Sequence, residues 1–395
     1  MKKFNLIVWG TGTYVCGSKH DVNDFGTIVP SIIEYQRENN NLDTIFFLYR
    51  KKKSLLHLKK KINLAQRLSG IFFRAKYLIA DVDDDKLKLD KALEKIDKIS
   101  AAIIVLPDHL HYVSSKYLIS KKINLLVVKP FTTSLKEGIE LVNLAEKANI
   151  IGAVEFHKRV DLANLMIKTK YLNNEIGDIH SCIVEYSQRK ENLDLFINWF
   201  SKSNLINYLG VHYIDLVYFI SGSKPLRVTA IGNKNKHKNK FSYYDNISCL
   251  IEWITPKGSK FNQYLNLGVN DPKHSFAISN QKIKFIGSIG RIESDQTNRG
   301  LYFINNEKTS ELINPYFSKA YSSNSKKVNW KGYGVESVCN FISCIASTDT
   351  FKKIDVVANK FNLTTFKEAL VSTSVIEAAS KSLAQEGKWV NIPKL

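Results

Sequence analysis

The run Phe4-Asn5-Leu6-Ile7-Val8-Trp9, followed without a break by Gly10-Thr11-Gly12-Thr13-Tyr14-Val15, decides the fold of this chain. Its first half reads as a buried apolar strand. A G-x-G turn directly behind such a strand opens a dinucleotide-binding βα unit. The first glycine makes a tight turn, and the second lets the backbone approach a pyrophosphate. Gly10, Thr11, Gly12, Thr13, Tyr14 and Val15 are therefore candidate cofactor contacts. The third glycine of that fingerprint is Val15 here, and the polar stretch from Cys16 to Gly26 delays the expected helix. The insertion reads either as a small lid over the phosphates or as a plain surface loop. The helix itself is predicted over Ile28–Asn39, with Pro30 accommodated in its first turn.

Strand and helix then alternate. Strands are predicted over Thr44–Tyr49, up to Ala80-Asp81, and over Ala101–Leu106, Asn124–Val128 and Ile151–Phe156. Helices are predicted over Lys86–Ile96 and Tyr112–Ser120. A further helix opens at the capping box Ser134-Leu135-Lys136-Glu137, with Leu135, Ile139, Val142 and Ala145 as its apolar stripe. The alternation implies a parallel sheet with helices on both faces. The second strand ends in Tyr49-Arg50-Lys51-Lys52-Lys53, where NAD-binding units carry an acidic residue. Arg50 and Lys51 suit a ribose 2′-phosphate, hence NADP over NAD, or else they belong to an ordinary lysine-rich loop.

A second stretch, Leu125-Leu126-Val127-Val128-Lys129-Pro130-Phe131, reads as a buried strand ending on a lysine. Pro130 restricts Lys129 to extended geometry, so the lysine is held at the mouth of the sheet. It is either a strand end meeting solvent or a fixed charge at the edge where ligands bind.

After about Asp178 the pattern changes. Strands over Ile179–Ser187, Arg227–Ile231, Ile247–Ile254, Phe261–Leu267 and Lys282–Ile286 follow with few helices between them, which predicts an antiparallel sheet. One helix, Ile206–Ile220, contains Gly210, His212 and Asp215; a last one starts at the capping box Thr365-Phe366-Lys367-Glu368 and runs to about Ala384. The expected class is an α/β Rossmann domain over 1–155, followed over 156–395 by an α+β domain with an open, mainly antiparallel sheet. The helix at about 365–384 is expected to pack back on the first domain.

Composition narrows the function. The 395 residues carry a net charge of +20, but the lysines are spread along the chain and no nucleic-acid motif accompanies them. The densest run, Lys234 to Lys240, reads as a solvated loop. The cysteines Cys16, Cys182, Cys249, Cys339 and Cys344 are scattered without zinc-type spacing, so no metal site is expected and the thiols are read as reduced. No apolar run reaches the roughly 18 residues of a membrane span, and the start lacks a signal-peptide pattern. A cytoplasmic protein without membrane or specific nucleic-acid partners is expected.

The motifs combine in order: the G-x-G turn, Leu106-Pro107-Asp108-x-x-His111, Val128-Lys129-Pro130, His157-x-Arg159, and Gly210-x-His212-x-x-Asp215. This order resembles the Gfo/Idh/MocA oxidoreductases, named after glucose-fructose oxidoreductase and inositol dehydrogenase. Glu175-Ile176-Gly177-Asp178, Gly287-Ser288-x-Gly290 and the closing helix before Trp389 extend the resemblance over almost the whole chain. It implies an NAD(P)-dependent dehydrogenase or reductase of a sugar, nucleotide sugar or cyclitol. It also implies a homodimer or homotetramer built through the second sheet. The family's E-K-P signature falls on Val128-Lys129-Pro130, without the glutamate. Its T-P-N-x-x-H segment near the nicotinamide ribose falls on Leu106, Pro107, Asp108 and His111, with Asp108 where asparagine is usual. Its D-x-G-x-H helix falls on Tyr208-Leu209-Gly210-Val211-His212, with tyrosine for aspartate.

Removing hydride from a secondary alcohol needs a base for the hydroxyl proton. A histidine with an unperturbed pKa of about 6.5 suits this, so His212 is the candidate base and Lys129 the group that stabilises alkoxide charge. Tyr208, four residues before His212, is expected on the same helix face to bind substrate or relay a proton. His157, Arg159 (beside Lys158), Trp199 and Asn207 are candidate substrate contacts, and Tyr333 a candidate border of the pocket. Asp215 either positions a neighbour or bonds nearby backbone. The loss of the aspartate at Tyr208 also leaves a non-catalytic NAD(P)-binding regulator or sensor as the alternative function.

Overall fold

The computed structural model describes residues 3–80, 86–94, 96, 99–192, 200–237, 241–304, 306, 310–322, 326–347 and 359–395. Asp81, Trp199 and Lys238–Lys240 therefore lie outside the described residues. The chain divides into two compact units. The first comprises Met1–Phe131, Glu137–Val160 and Tyr316–Glu368; the second comprises Thr132–Lys136, Asp161–Pro315 and Ala369–Leu395.

The first unit is built on six parallel strands: β1 (Phe4–Trp9), β2 (Leu42–Tyr49), β3 (Arg74–Ile79), β4 (Ile99–Ile104), β5 (Asn124–Val128) and β6 (Gly152–Glu155). Their order is β6-β5-β4-β1-β2-β3, with the short strand Thr364–Thr365 antiparallel beyond β6. Central strands of such a sheet are covered on both faces, which is why Leu6, Ile7 and Val8 are all fully buried and the strands read as unbroken apolar runs. The chain reverses its direction of travel across the sheet between β1 and β4. That reversal opens a crevice at their carboxyl ends.

The helices include α1 (Thr13–Cys16), α2 (Ile28–Asn39), α3 (Lys52–Ser69), α4 (Lys86–Leu93), α5 (His111–Ser120) and α6 (Leu135–Ala148). The lysine-rich α3 has no counterpart in the sequence prediction. It is seated by Leu58, Ile62 and Ala65, all fully buried at helical spacing. In α6 the buried stripe is Gly138, Leu141, Val142 and Ala145, whereas Ile139 is 41% exposed. The stripe is thus shifted from the expected one.

The insertion after the G-x-G turn is an ordered loop between the single turn α1 and α2. Asp24 accepts from the backbone N–H groups of Ser18 (2.7 Å) and Gly26 (2.9 Å), and Phe25 packs edge-on against Trp330 at 5.4 Å. The nearly buried Lys61 ammonium of α3 donates to the carbonyls of Asp21 (2.6 Å), Val22 (3.2 Å) and Asp24. One cation thereby organises three carbonyls that no helix or strand satisfies.

Residues 316–368 belong to the first unit although sequence pattern places them after its boundary. The helix Tyr333–Ala346 is amphipathic, and Val338, Phe341 and Ile342 join Ile28, Ile32 and Val8 in one core. The capping box at Thr365 is present: Thr365 N–H donates to Glu368 Oε2 (2.9 Å) and Glu368 N–H donates to Thr365 Oγ1 (3.2 Å).

The second unit carries a sheet of β7 (Ile179–Arg189), β8 (Lys224–His237), β9 (Phe241–Ile254), β10 (Lys260–Asp271), β11 (Ser279–Gly287) and β12 (Arg291–Asp295), in the order β12-β11-β7-β10-β9-β8. All pairs are antiparallel except β7 with β10. The helices α7 (Leu162–Leu172) and α8 (Val211–Ser221) pack together in this unit. The run from Lys234 to His237, expected as loop, is strand paired with Phe241–Tyr244. The side chains of Lys234, Asn235 and Lys236 reach solvent while the backbone pairs. The last helix, Phe366–Ala384, begins in the first unit, and from Ala369 onward it belongs to the second. There Ser382 Oγ accepts from Ala230 N–H (2.9 Å), and Val390 pairs with Val228 at the sheet edge.

Lys61→Met removes the donor from the insertion. Hydrogen bonds to a charged group are worth about 1.5–3 kcal/mol. A loss of that order should appear as a lower urea midpoint and faster amide exchange at Ser18 and Gly26. An unchanged exchange rate would show that the loop holds without the ammonium.

Candidate active site

The two glycines of the turn have different causes. Gly10 has φ +135°, and a Cβ there would lie 2.1 Å from the Val105 carbonyl oxygen, so the fold itself requires glycine. Gly12 has φ −77°, open to any residue, and a Cβ added there meets nothing within 4 Å. Nothing in the protein demands glycine at position 12; a ligand pressed against the backbone would. These residues therefore fit a dinucleotide at this turn. Thr13–Cys16 supplies one helical turn behind it, in which Val15 is buried and Tyr14 points into the first unit. Arg50 and Lys51 are exposed at the carboxyl end of β2, where Lys51 opens α3.

The segment after β4 is fastened to the segment after β5 by His111. Its Nδ1 lies 2.7 Å from the Pro130 carbonyl and its Nε2 lies 2.8 Å from the Leu106 carbonyl. A neutral imidazole donates to one of these and a protonated one to both. Burial pushes the ring below its ordinary pKa, while Asp108 and the carbonyls of Pro130, Leu106 and Phe131 pull it up. His111 thus shapes the crevice rim, and the Lys129–Pro130 peptide it braces is cis. Asp108 is buried and accepts from His109 N–H at 2.9 Å.

Lys129 follows β5. Its surroundings desolvate the ammonium and bring its pKa down to about 8, against the opposing pull of Glu155 and then Asp108. Glu155, at the end of β6, is absent from the sequence-based list of candidates. Its side chain is fully buried, and its carboxylate lies 3.1 Å from His157 Nδ1. A carboxylate only accepts, so this contact selects the tautomer with hydrogen on Nδ1. Tyr14 also bonds Glu155, and burial first, then that negative charge, raises the Tyr14 phenol well above its ordinary value. The His157 ring is stacked against Tyr333 (centroids 5.6 Å) and tilted against Phe317 (5.0 Å). The one signal in the sequence was an acidic residue inside the apolar strand Ile151–Phe156.

Arg159 is buried and donates to Glu368 Oε1 at 3.1 Å. Its guanidinium thereby ties the turn His157–Val160 to the cap of the last helix.

In the second unit, Tyr208 and Asn207 lie in a π turn, Ile206–Gly210, that leads into α8; His212 is in the first turn of α8 itself. The expected single α-helical face is therefore interrupted, and π turns of this kind gather at functional sites. Gly210 lets the turn approach β10: a Cβ there would lie 2.9 Å from Leu267 Cδ1. His212, Asn207 and Asp215 are buried. The Tyr208 hydroxyl donates to Gln188 Oε1 (3.2 Å), and burial, followed by Tyr186, raises its pKa further from working pH.

Comparison with known proteins places the chain in a family. A family model described as the oxidoreductase family with an NAD-binding Rossmann fold matches residues 35–156, and the GFO/IDH/MocA C-terminal domain matches residues 165–293. The chain belongs to the Gfo/Idh/MocA family of oxidoreductases. Among curated relatives, glucose-6-phosphate 3-dehydrogenase of Bacillus subtilis is 25% identical over 32% of this chain and 38% of its own. UDP-N-acetylglucosamine 3-dehydrogenase of Acidithiobacillus ferrooxidans is 23% identical over 45% of this chain and 53% of its own. The matches thus span about half or less of these relatives. The fold is similar to that of GenD2 from gentamicin A biosynthesis, solved with NAD (TM-score 0.71, 16% identity, 100% of this chain and 97% of that one). It is also similar to scyllo-inositol dehydrogenase from Lactobacillus casei, solved with NAD(H) and scyllo-inositol (TM-score 0.67, 14% identity, 99% of each chain). Among the described residues no helix is long and apolar enough to cross a membrane, and the five cysteines form no disulfide.

Because folding lowers the pKa of Lys129, the unfolded chain binds more protons between about pH 8 and the free-lysine value near 10.4. Lys129 therefore costs stability below pH 8, and the cost disappears as pH rises through that window. Relative to Lys129→Met, in which position 129 does not titrate, the parent should gain melting temperature as pH rises from about 8 toward 10. The same pH dependence in both proteins would contradict the lowered pKa.

Proposed function

We propose that this chain is an NAD(P)-dependent oxidoreductase acting on a secondary alcohol or ketone of a sugar, nucleotide sugar or cyclitol. The observation that carries this reading is the crevice edge of the first unit. There a glycine that the fold does not need, Gly12, shares the carboxyl side of one sheet with the desolvated Lys129. A nicotinamide, when bound, supplies or accepts the hydride. Gly10–Val15 would hold the pyrophosphate, and Leu106, Pro107, Asp108, His111 and Pro130 would border the nicotinamide ribose. The exposed Arg50 and Lys51 favour NADP through a 2′-phosphate.

Lys129, as ammonium, stabilises negative charge on the reacting oxygen. His212 takes the hydroxyl proton in oxidation and returns it in reduction. Tyr208 is already committed as a donor to Gln188 and holds shape rather than a proton. His157, presented by Glu155 and stacked on Tyr333, and Asn207 are the substrate contacts, with Trp199 in the same assignment; Arg159, engaged by Glu368, positions the turn that carries His157. The named dehydrogenases of a sugar phosphate, a nucleotide sugar and a cyclitol support the substrate class. A cytoplasmic homodimer or homotetramer through the second sheet belongs to this reading. Its exposed face, where the register partners Ile183 and Tyr264 lie side by side, supports it.

The test is to follow reduced-nicotinamide absorbance with NAD and NADP against sugar phosphates, nucleotide sugars and inositols. Turnover should fall at least 100-fold, within the usual range for a lost proton-transfer or charge-stabilising group, in Lys129→Ala and in His212→Ala. Reduction should also weaken as pH rises through about 8, where Lys129 loses its charge. Full turnover in both variants would refute the mechanism. Tight cofactor binding with no turnover on the whole panel would favour a sensor.

A further inference from the structure

One polar side chain interrupts an apolar row in the second unit. The inward positions of β10 alternate as Phe261, Gln263, Leu265 and Leu267, and all four are buried. Such positions are ordinarily apolar, and a buried amide costs free energy unless its ends are bonded. Gln263 is fully buried, and both ends are bonded. The Trp253 indole donates to its Oε1 at 3.1 Å, and its Nε2 donates to the Tyr213 carbonyl at 3.3 Å. An indole only donates and a carbonyl only accepts, so these two partners fix which way the amide points. A leucine at this position would pack but hold neither partner.

The carbonyl that Gln263 holds belongs to the residue directly after His212. Two residues before His212, the chain meets the same strand row. A Cβ on Gly210 would lie 2.9 Å from Leu267 Cδ1 and 3.3 Å from Leu265 Cδ2. β10 thus fixes the backbone on both sides of His212. The need for this is local. The π turn Ile206–Gly210 breaks the helical register directly before α8, with Val211 N–H reaching back to the Ile206 carbonyl. Regular helical bonding therefore does not carry through to place the first turn of α8. Tyr213 is also held at its far end. Its hydroxyl donates to Gln296 Oε1 at 3.2 Å, and Gln296 Nε2 donates to Asn164 Oδ1 of α7 at 2.6 Å. A buried polar network with its members satisfied in this way makes a segment rigid.

We propose that Gln263 is a positioning residue: oriented by Trp253, it clamps the Tyr213 backbone to β10 and so fixes His212 in the first turn of α8. The inference rests on the assignment of His212 to proton transfer. That transfer needs the imidazole within hydrogen-bond reach of the reacting hydroxyl, and a misplacement of about 1 Å costs on the order of 100-fold in rate.

The test reads His212 in the intact protein, without substrate. Histidines are isotope-labelled at Cε1 for magnetic resonance, and the His212 signal is assigned by its loss in His212→Ala. The wild type should give a single sharp signal. Gln263→Met nearly keeps the side-chain volume and removes both bonds. Its His212 signal should split or broaden as the ring takes more than one placement. A single sharp signal at the wild-type position would make the amide a packing element only and overturn the proposal. If Gln263→Met does not fold, Trp253→Phe, which removes the donor that orients the amide, must split or broaden the signal, and an unchanged signal overturns the proposal as well. Because the spectrum needs no turnover, a split signal in a protein inactive on every panel substrate would uphold the clamp and reject the enzymatic reading. Where turnover is found, kcat in Gln263→Met should fall about tenfold or more with the KM for the dinucleotide unchanged, and an unchanged kcat would contradict the proposal.

Discussion

A half-buried lysine ammonium at the carboxyl edge of the sheet is the constraint around which this corner of the first unit is arranged. Lys129 follows the apolar run Leu125–Val128, where desolvation favours the neutral amine. Glu155 and Asp108 oppose that tendency, and each arrives from a neighbouring strand end. Their own placement depends on further contacts. Glu155 is held by His157 and Tyr14, and the segment carrying Asp108 is pinned through His111 to the Pro130 carbonyl. The aromatic rings of Phe317 and Tyr333 then close against His157. Residues 316–368 thus return to the first unit with a consequence for chemistry as well as for packing.

The parallel sheet was legible in the sequence because both-face burial leaves an unmistakable mark. β1, β4 and β5 are short apolar runs, each ending in a turn or a proline. The G-x-G turn and Lys129 were legible for the same reason, since both sit where such a run stops. The mainly antiparallel second sheet was legible from alternating strands without intervening helices. Family pattern then joined the motifs into one functional reading.

What stayed hidden depends on pairing across distance. Glu155 is one acidic residue in a strand, and its meaning appears only once His157 and Tyr14 are found around it. Arg159 looked ready for an anionic substrate, yet Glu368, more than 200 residues away, already engages it. The role of Lys61 depends on three carbonyls that carry no side-chain signal. The π turn before α8 likewise leaves no mark in residue spacing, because a one-residue change in helical period is invisible in a segment apolar on most sides.

The most direct test of the account lies at Gly12. The fold leaves room for a side chain there, so Gly12→Val should melt within about a degree of the parent, as surface changes free of steric conflict do. Calorimetric titration with NADH and NADPH should show one saturable site in the parent and at least a tenfold loss of affinity in the variant. Equal affinity in the two proteins, or no binding to the parent, would contradict the claim that this turn receives a dinucleotide.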